Sequence, residues 1–402
     1  MLRSYTLALL VCGVALAFTL DACAPAPAAP TNASVSPANT VVAPTNATVA
    51  PATSAPTIQV TFAAAATIVS TVQVTLAPVA TIIPTQPAVR AQLIVLSNSS
   101  PHISVIDAET NRVVRTADIP YFTSWGWNDD NNYSDGKNLW LGMRNPDTDD
   151  VEVVLLDLDS LQLVKHIPLG RDKITLYIGK ASREGKLFVS KHASGQMAVI
   201  DLKTYAVLKV IDLPVNGGNA CDVDVVVGSD GKERAYVPTD NGNTVLGIDT
   251  TTFQVVETLS IPEGTRPFML IAAPDRKHVW VQERTSNGVV VLDALTLQVL
   301  KRVPTGMGAI TGTFSPDGKL AFTGHSNDTV VTAHDSQTFK EVWRVPVGTN
   351  PETLGVHPNG QFVYASLSKE AAVAVLDAST GKVITRVPLG TNPSGLYVRA
   401  LK

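Results

Sequence analysis

The sequence is poor in cysteine and in charge, and each shortage restricts what kind of protein it can be. Its 402 residues include three cysteines, and only Cys221 lies beyond residue 23. A disulfide framework is therefore excluded for the rest of the chain. Charged residues make up 16% of the sequence, against roughly 25% in typical soluble domains. With a net charge of −4 and a pI of about 6.0, we expect no nucleic-acid partner.

Several motifs of known chemistry are also absent. The sequence has no C-x-x-C-H haem site, no G-x-S-x-G nucleophile, no Walker loop and no H-E-x-x-H zinc site. Its seven histidines show no metal-ligand spacing. We therefore predict no cofactor and no metal, and no catalytic residue can be assigned from a motif.

The shortage of charge is concentrated near the N-terminus. Between Cys23 and Arg90 there is no Lys, Arg, Asp or Glu, and Ala, Pro, Thr and Val dominate. We interpret residues 24–90 as a disordered stalk with polyproline II character. The apolar stretch 57–78 leaves a membrane segment as the alternative, although its Thr and Gln residues oppose that interpretation.

Residues 1–23 are typical of an export signal. Arg3 precedes an apolar run at 5–20, which is short for a membrane-spanning helix. The sequence "LDAC", ending at Cys23, resembles the bacterial lipobox, although Asp21 departs from its pattern. That resemblance implies an exported protein tethered to the membrane by a lipid on Cys23, on the outer face of the cytoplasmic membrane, in the periplasm or at the cell surface. Cleavage to a secreted form and an uncleaved anchor are the alternatives.

From residue 91 onward, one unit recurs seven times. In each copy an apolar strand ends at an Asp, a Ser or Thr follows three residues later, and the chain returns as a strand rich in Val and Ile. An Asp in this position can accept hydrogen bonds from backbone N–H groups two or three residues on, which closes a turn. The period of 42–50 residues is typical of a β-propeller. The seven aspartates are Asp107, Asp157, Asp201, Asp249, Asp293, Asp335 and Asp377.

Two more strands precede each of these aspartates. They are joined by hairpin turns such as "SPDG" at 315–318. The second strand carries an aromatic residue at a fixed place, and we interpret these residues as filling the space between blades rather than as a ligand cage. Each unit thus predicts four antiparallel strands, A to D from the axis outward. The aromatic residues are Trp140, Phe188, Tyr236, Trp280, Phe322 and Tyr364.

The last two full copies, "SPDGKLAFTGH…TVVTAHDSQTFKEVWRVPVG" and "HPNGQFVYASL…AVAVLDASTGKVITRVPLG", resemble the YVTN-type propeller repeat. The resemblance covers residues 93–400. It implies the fold but not one function, because this fold hosts lactonases, oxidoreductase subunits, adhesins and binding modules.

The two ends of the repeat region complete one blade. The first copy begins at strand B, in "QLIVLSN" at 92–98, whereas "NPSGLYVRA" at 392–400 aligns with strand A of the last full copy. We therefore predict an all-β, seven-bladed propeller of four-stranded antiparallel blades over residues 91–402. The C-terminal strand closes the ring by completing blade one. We expect the domain to be a monomer.

One face of such a propeller is the default ligand site, because the D–A and B–C loops emerge there around the channel. The mixture of cations, carboxylates and imidazoles on this face predicts binding of a small polar or anionic molecule, or of a protein. A solvated rim without a ligand is the alternative. The residues that the alignment places there are Arg144, Lys191, His192, Asp222, Asp240, Arg266, Glu283, Arg284, His325 and Asn350.

Two further features of the sequence deserve a structural test. Asp222 and Asp224 share one face of an inner strand and could hold a cation, but turn or rim solvation, or pairing with Arg266 of the next blade, is the favoured interpretation. The loop 121–136 departs most from the repeat and places two tryptophans beside Asp129 and Asp130.

Two functions are compatible with these patterns. The stalk and anchor favour a binding or interaction module presented at the cell envelope. The resemblance allows an alternative, an enzyme or oxidoreductase subunit of lactonase-like or quinoprotein-associated type. In that case His192, Glu283, Arg284 and His325 are the residues to test.

Overall fold

The computed structural model describes residues 89–401, except 98–99, 120–132, 174–175, 216–218, 229 and 263–264. The predictions for the signal peptide, for Cys23 and for the stalk up to residue 88 lie outside these residues, as do those for the tryptophans and aspartates of the loop 121–136. Every regular element of the described part is a β-strand, so it contains no helix that could cross a membrane.

These strands form seven antiparallel sheets, which are the blades of a seven-bladed β-propeller, as predicted. Blade one contains β1 (Arg90–Ser97), β2 (His102–Asp107) and β3 (Arg112–Asp118). Blade two contains β4 (Asn138–Arg144), β5 (Asp150–Asp157) and β6 (Leu163–Arg171). Blade three contains β7 (Leu176–Ala181), β8 (Lys186–Lys191), β9 (Gln196–Asp201) and β10 (Val207–Asp212).

The remaining strands complete the ring. Blade four consists of β11 (Asp224–Val227), β12 (Glu233–Thr239), β13 (Thr244–Asp249) and β14 (Val255–Ser260), and blade five of β15 (Pro267–Ala272), β16 (His278–Glu283), β17 (Gly288–Asp293) and β18 (Val299–Pro304). Blade six consists of β19 (Ala309–Phe314), β20 (Leu320–His325), β21 (Val330–Asp335) and β22 (Glu341–Pro346), and blade seven of β23 (Pro351–Val356), β24 (Phe362–Leu367), β25 (Ala372–Asp377) and β26 (Val383–Pro388). The closing strand is β27 (Pro393–Leu401).

The C-terminal strand closes the ring, which confirms the prediction. The first sheet has the order β27-β1-β2-β3, so that β27 is the inner strand of blade one. Its antiparallel register runs from Arg90 opposite Leu401 to Ser97 opposite Pro393. Leu396 is 1% exposed and packs in one apolar cluster with residues of blades one and seven.

Blade two differs from the others in the part of the chain that is described. Its sheet has three strands, in the order β4-β5-β6. An isolated bridge between Ser134 and Leu139 lies on the inner side of β4. Residues 120–132, which precede that bridge, are outside the description.

The aromatic residues of the repeat fill the spaces between blades, as predicted. Each is at most 1% exposed and belongs to a cluster that includes the following blade. Tyr236 of blade four, for example, packs with Leu270 and Val279 of blade five. Burial of one such side chain contributes roughly 1.5–3 kcal/mol. The six are Trp140, Phe188, Tyr236, Trp280, Phe322 and Tyr364.

The seven Asp turns also form as the sequence predicts. At Asp249, the carboxylate accepts hydrogen bonds from the backbone N–H of Thr251 at 3.0 Å and of Thr252 at 2.7 Å, and from the Thr252 hydroxyl at 3.0 Å. The Ser or Thr three residues after each of the other six aspartates makes the same pair of contacts. Each turn thereby satisfies its own backbone donors without help from the rest of the blade.

Ring closure predicts a strong effect of the last strand on stability. Deletion of residues 393–402 exposes the edge of β1, and we expect loss of the folded monomer, seen as aggregation in size-exclusion chromatography and a reduced melting temperature by circular dichroism. The milder Leu396→Ala change should lower the free energy of unfolding by about 2–5 kcal/mol. Ser394→Ala, on the same strand but partly exposed, serves as the control. A deletion variant that melts like the full chain would contradict closure by β27.

The titrating groups predict a decline in stability with acid in two steps. Burial lowers the pKa of His192, His325 and His334, so their stabilisation is complete above pH 6.5 and is lost as the pH falls toward the folded values, about 4 for His325.

The second step comes from the turns. Hydrogen bonds from Ser or Thr are the largest cause of the lowered pKa in five of the seven aspartates. In Asp107 and Asp293 desolvation is the largest contribution and acts upward, but the hydrogen bonds together outweigh it. Their stabilisation is complete above about pH 4 and is lost below it. We expect the melting temperature to fall gently below pH 6.5 and steeply below pH 4, with a smaller acid step in Asp249→Asn. A melting temperature constant down to pH 3 would be incompatible with this assignment.

Candidate functional site

The inner strands share a local irregularity near the face that carries the B–C loops. In blade five, Pro267 pairs with Glu283 and Met269 with Gln282, so Phe268 is an extra residue in the strand. Blades six, seven and one skip a residue at the same place. A β-bulge of this kind re-aims a side chain. The equivalent positions in blades three, four, five, six, seven and one are, in that order, Tyr177, Cys221, Phe268, Ile310, Glu352 and Ser394.

Four of these side chains meet at the axis of the propeller. Tyr177, Cys221, Phe268 and Ile310, with Met269, form one buried apolar cluster. The rings of Tyr177 and Phe268 lie 6.0 Å apart, although blade four separates their blades. Contacts between non-adjacent blades are feasible only around the axis. We call this cluster, with Glu352, Ser394 and the loop residues beside them, the axial mouth; it is apolar on one side and polar on the other.

Arg284 is the first residue after β16 and supplies a positive charge to the axial mouth. Its guanidinium carbon lies 4.5 Å from the centre of the Phe268 ring, in cation–π geometry. No carboxylate of the described residues forms an ion pair with it. Its charge acts on His192 across the mouth in blade three and on Glu352 in blade seven. Arg284 is therefore a cation held in place by an aromatic ring, with its hydrogen-bond donors available.

His192, the first residue after β8, lies on the other side of the cluster. Its ring centre is 5.2 Å from that of Tyr177, and its Nδ1 lies 3.0 Å from the carbonyl oxygen of Ala220. A carbonyl can only accept, so Nδ1 carries the proton and Nε2 of the neutral ring keeps its lone pair. Burial is the main cause that lowers the pKa of His192. The imidazole is therefore neutral at pH 7 and can act as a base or as an acceptor.

Glu352 contributes a carboxyl group to the polar side of the mouth. Burial raises its pKa, and the neighbouring Ser368, Lys369 and Arg284 limit that rise. The protonated form is therefore more accessible than in an exposed glutamate. A carboxyl group in this state can donate as well as accept a hydrogen bond.

Other predicted residues lie on the same face but in internal pairs. Asp240 is almost fully buried and binds Arg266 through two hydrogen bonds of 2.6 Å. Glu283, 2% exposed, accepts from Arg302 at 2.7 and 2.9 Å and from a serine hydroxyl at 2.7 Å. Arg144 donates to the side chain of Asp149 at 3.0 Å. These charges are neutralised by neighbours, so they hold the loops in shape.

Two more predicted residues are held by hydrogen bonds, and a third has a left-handed backbone conformation. His325 is fully buried, with Nε2 accepting from the Gly306 N–H at 2.8 Å and Nδ1 donating to the Val330 carbonyl at 2.9 Å. The ammonium of Lys191 donates to Gln196 at 3.1 Å, toward the outer strands of blade three. Asn350 has a φ of 53° in the connection before β23.

The pair Asp222 and Asp224 makes contacts other than those predicted. Asp222 accepts the N–H of Leu270 at 3.4 Å, and Asp224 that of Ala272 at 2.8 Å. Both carboxylates thus bind the inner strand of blade five. Pairing with Arg266, one of the two interpretations favoured from the sequence, does not occur, because Arg266 forms its ion pair with Asp240. No set of three metal-binding side chains occurs among the residues with defined positions.

Surface grooves do not coincide with the axial mouth. One is lined by residues 360–362 with Asp377 and Ser379, and another follows β10 and the turn after β13. Asp377 is already bound to its own turn. Neither groove combines an unpaired cation with a neutral base, so the chemistry favours the mouth.

Sequence reasoning missed the inner-strand residues of the mouth, among them Tyr177, Phe268 and Glu352. The alignment of the inner strands contained a signal for two of them. In "RPF" and "NPE" the residue after proline occupies one equivalent position, and the bulge directs that position to the axis.

Comparisons with known proteins identify the fold. No protein-family model matches the sequence, and no curated protein sequence matches it. Among solved structures, a candidate 6-phosphogluconolactonase from Bacteroides fragilis aligns with a TM-score of 0.61 at 15% identity, over 78% of this chain and 99% of that one. The periplasmic gluconolactonase of Pseudomonas aeruginosa gives 0.60 at 18%, over 78% and 100%. Hydrazine synthase of Kuenenia stuttgartiensis gives 0.56 at 18%, over 69% and 90%. At these identities the similarities show that the chain is a β-propeller with lactonase-like structural neighbours.

Proposed function

We propose that the protein is an enzyme that hydrolyses a lactone at the axial mouth. The observation that carries this proposal is the placement of a neutral histidine, His192, and an unpaired guanidinium, Arg284, on two sides of one apolar cluster. Two structural neighbours are lactonases by name, which favours the enzyme alternative over the binding module that the stalk suggested.

Lactone hydrolysis requires a base for the attacking water, and His192 meets this requirement. Its Nε2 lone pair accepts a proton as the water oxygen bonds to the lactone carbonyl carbon. Because the pKa of His192 is lowered, the base is fully available at neutral pH. The hydrogen bond from Nδ1–H to Ala220 fixes the tautomer through this step.

Arg284 stabilises the negative charge that develops on the carbonyl oxygen. A donor directed at such an oxyanion contributes roughly 2.7–4 kcal/mol. When the ring C–O bond breaks, the alkoxide takes the proton from the His192 imidazolium, and the product is a hydroxy acid. Glu352 can hold a substrate hydroxyl from the polar side of the mouth.

Export and lipid attachment complete the proposal. The periplasmic location of one structural neighbour is consistent with an exported protein. We propose that the YVTN-type domain is anchored through Cys23 and works outside the cytoplasmic membrane.

The proposed activity is tested on the full chain with D-glucono-1,5-lactone in a pH-stat assay. Arg284→Ala should lower kcat by roughly 10²–10³-fold. His192→Asn keeps a donor toward Ala220 but loses the base, and should lower kcat by roughly 10²–10⁴-fold.

The control for Arg284 is Arg183→Ala, which removes an exposed arginine on the opposite face and should leave kcat unchanged. Equal melting temperatures of the variants separate catalysis from folding. Hydrolysis by the wild type no faster than the blank, or unaffected by both site variants, would refute the proposal.

Lipid attachment predicts that the chain expressed in a bacterium incorporates labelled palmitate and enters the detergent phase of a Triton X-114 extraction. Cys23→Ala should remove the label and move the protein to the aqueous phase, whereas Cys12→Ala should behave like the wild type. An unlabelled wild type in the aqueous phase would rule out the anchor.

A further inference from the structure

The charges of the axial mouth restrict the substrate more narrowly than the proposed function does. Arg284 is the only guanidinium among the described residues of this mouth, and its charge acts on the carboxyl group of Glu352. The other arginines nearby are bound to partners, as in the pairs Arg266–Asp240 and Arg302–Glu283. The mouth therefore offers one free guanidinium, to which the exposed Lys369, whose charge also acts on Glu352, adds one ammonium group.

The loops around the mouth add negative charge. The seven B–C connections and the D–A connections that follow blades two to seven contain four Lys or Arg and eight Asp or Glu in the sequence, a net charge of −4. Of the four cations, Arg266 is paired with Asp240. Lys173 and Lys369 are exposed, and their neighbours Asp172 and Glu370 accept hydrogen bonds from backbone N–H groups. A ligand approaching this face therefore meets an acidic rim.

The undescribed gaps between residues 89 and 401 cannot supply further cations. The gaps between residues 89 and 401 contain no Lys or Arg, and their charged residues, Asp129, Asp130 and Glu263, are all acidic. The described part also has no helix, and so no helix N-terminus that could receive an anion. These gaps therefore add no Lys or Arg to the count made on the described residues.

We infer that the substrate is an uncharged lactone and that phosphorylated lactones are excluded. This inference rests on the proposed function. A phosphate monoester carries a charge of about −1.5 to −2 at pH 7, and proteins hold it with clustered arginines, lysines or backbone N–H groups. Here a phosphate would find Arg284, which the oxyanion also needs, and the single exposed ammonium of Lys369, beside Glu352 and an acidic rim. The mouth thus discriminates between the two substrate classes that the names of the lactonase neighbours represent.

The test compares D-glucono-1,5-lactone with its 6-phosphate on the full chain at low and at moderate salt. We expect kcat/KM to be at least tenfold higher for the uncharged lactone. Glu352→Gln and Ser394→Lys, which make the mouth more positive, should each reduce that ratio, and Ser394→Gln is the matched control for the second change.

Calorimetric binding of D-gluconate and 6-phosphogluconate tests the charge selection without catalysis. Tighter binding of gluconate supports the inference even if neither lactone is hydrolysed, a result that would refute only the proposed activity. Three results would overturn the inference of an uncharged substrate. They are equal or tighter binding of the phosphorylated acid, equal or faster hydrolysis of the phosphorylated lactone, and no binding of either acid.

Discussion

The pairing of β27 with β1 is the constraint on which the rest of the structure depends. Eight residues at the C-terminal end of the domain complete the sheet that its first strand begins. Without this pairing blade one would lack its inner strand, and the packing of Leu396 against blade seven would be lost. The axis would then have no fixed position. A site composed of side chains from several blades requires that the ring be closed first.

Closure also explains why the site contains residues from blades far apart in sequence. His192 and Glu352 are separated by 160 positions, yet both respond to the charge of Arg284. Blades three and five each contribute one side chain from the inner strand, Tyr177 or Phe268, and another from the first residue of the B–C loop, His192 or Arg284.

The fold was predictable because its signals are local and repeated. Each Asp turn is defined by residues within four positions of one another, and the aromatic residues recur at one place in the unit. The missing strand of the first copy could be matched to the tail because both obey the same pattern. The sequence could not show how blade two is completed, because residues 120–132 depart from that pattern.

The site was predictable in its location but not in its membership. His325, Glu283 and Lys191 end their B strands, and such residues are buried between blades and bound there. His192 and Arg284 come one position later and reach the axial mouth. A shift of one residue reverses the direction of a side chain in a strand, and the alignment included both positions. Which carboxylate neutralises which arginine depends on contacts across strands and loops that no local pattern encodes.

The bulges in the inner strands have a consequence for how this domain can change during evolution. The extra residue takes no part in the pairing of its strand, so strand pairing does not restrict which amino acid can occupy this position. Phe268, Ile310, Glu352 and Ser394 differ in size, polarity and charge at one equivalent position, while the strands around them remain alike. These positions of the ring can therefore carry different side chains without a change in the surrounding strands. New chemistry can arise there by single substitutions, each with little cost to folding, and this offers a physical reason why one scaffold accommodates enzymes and binding proteins alike.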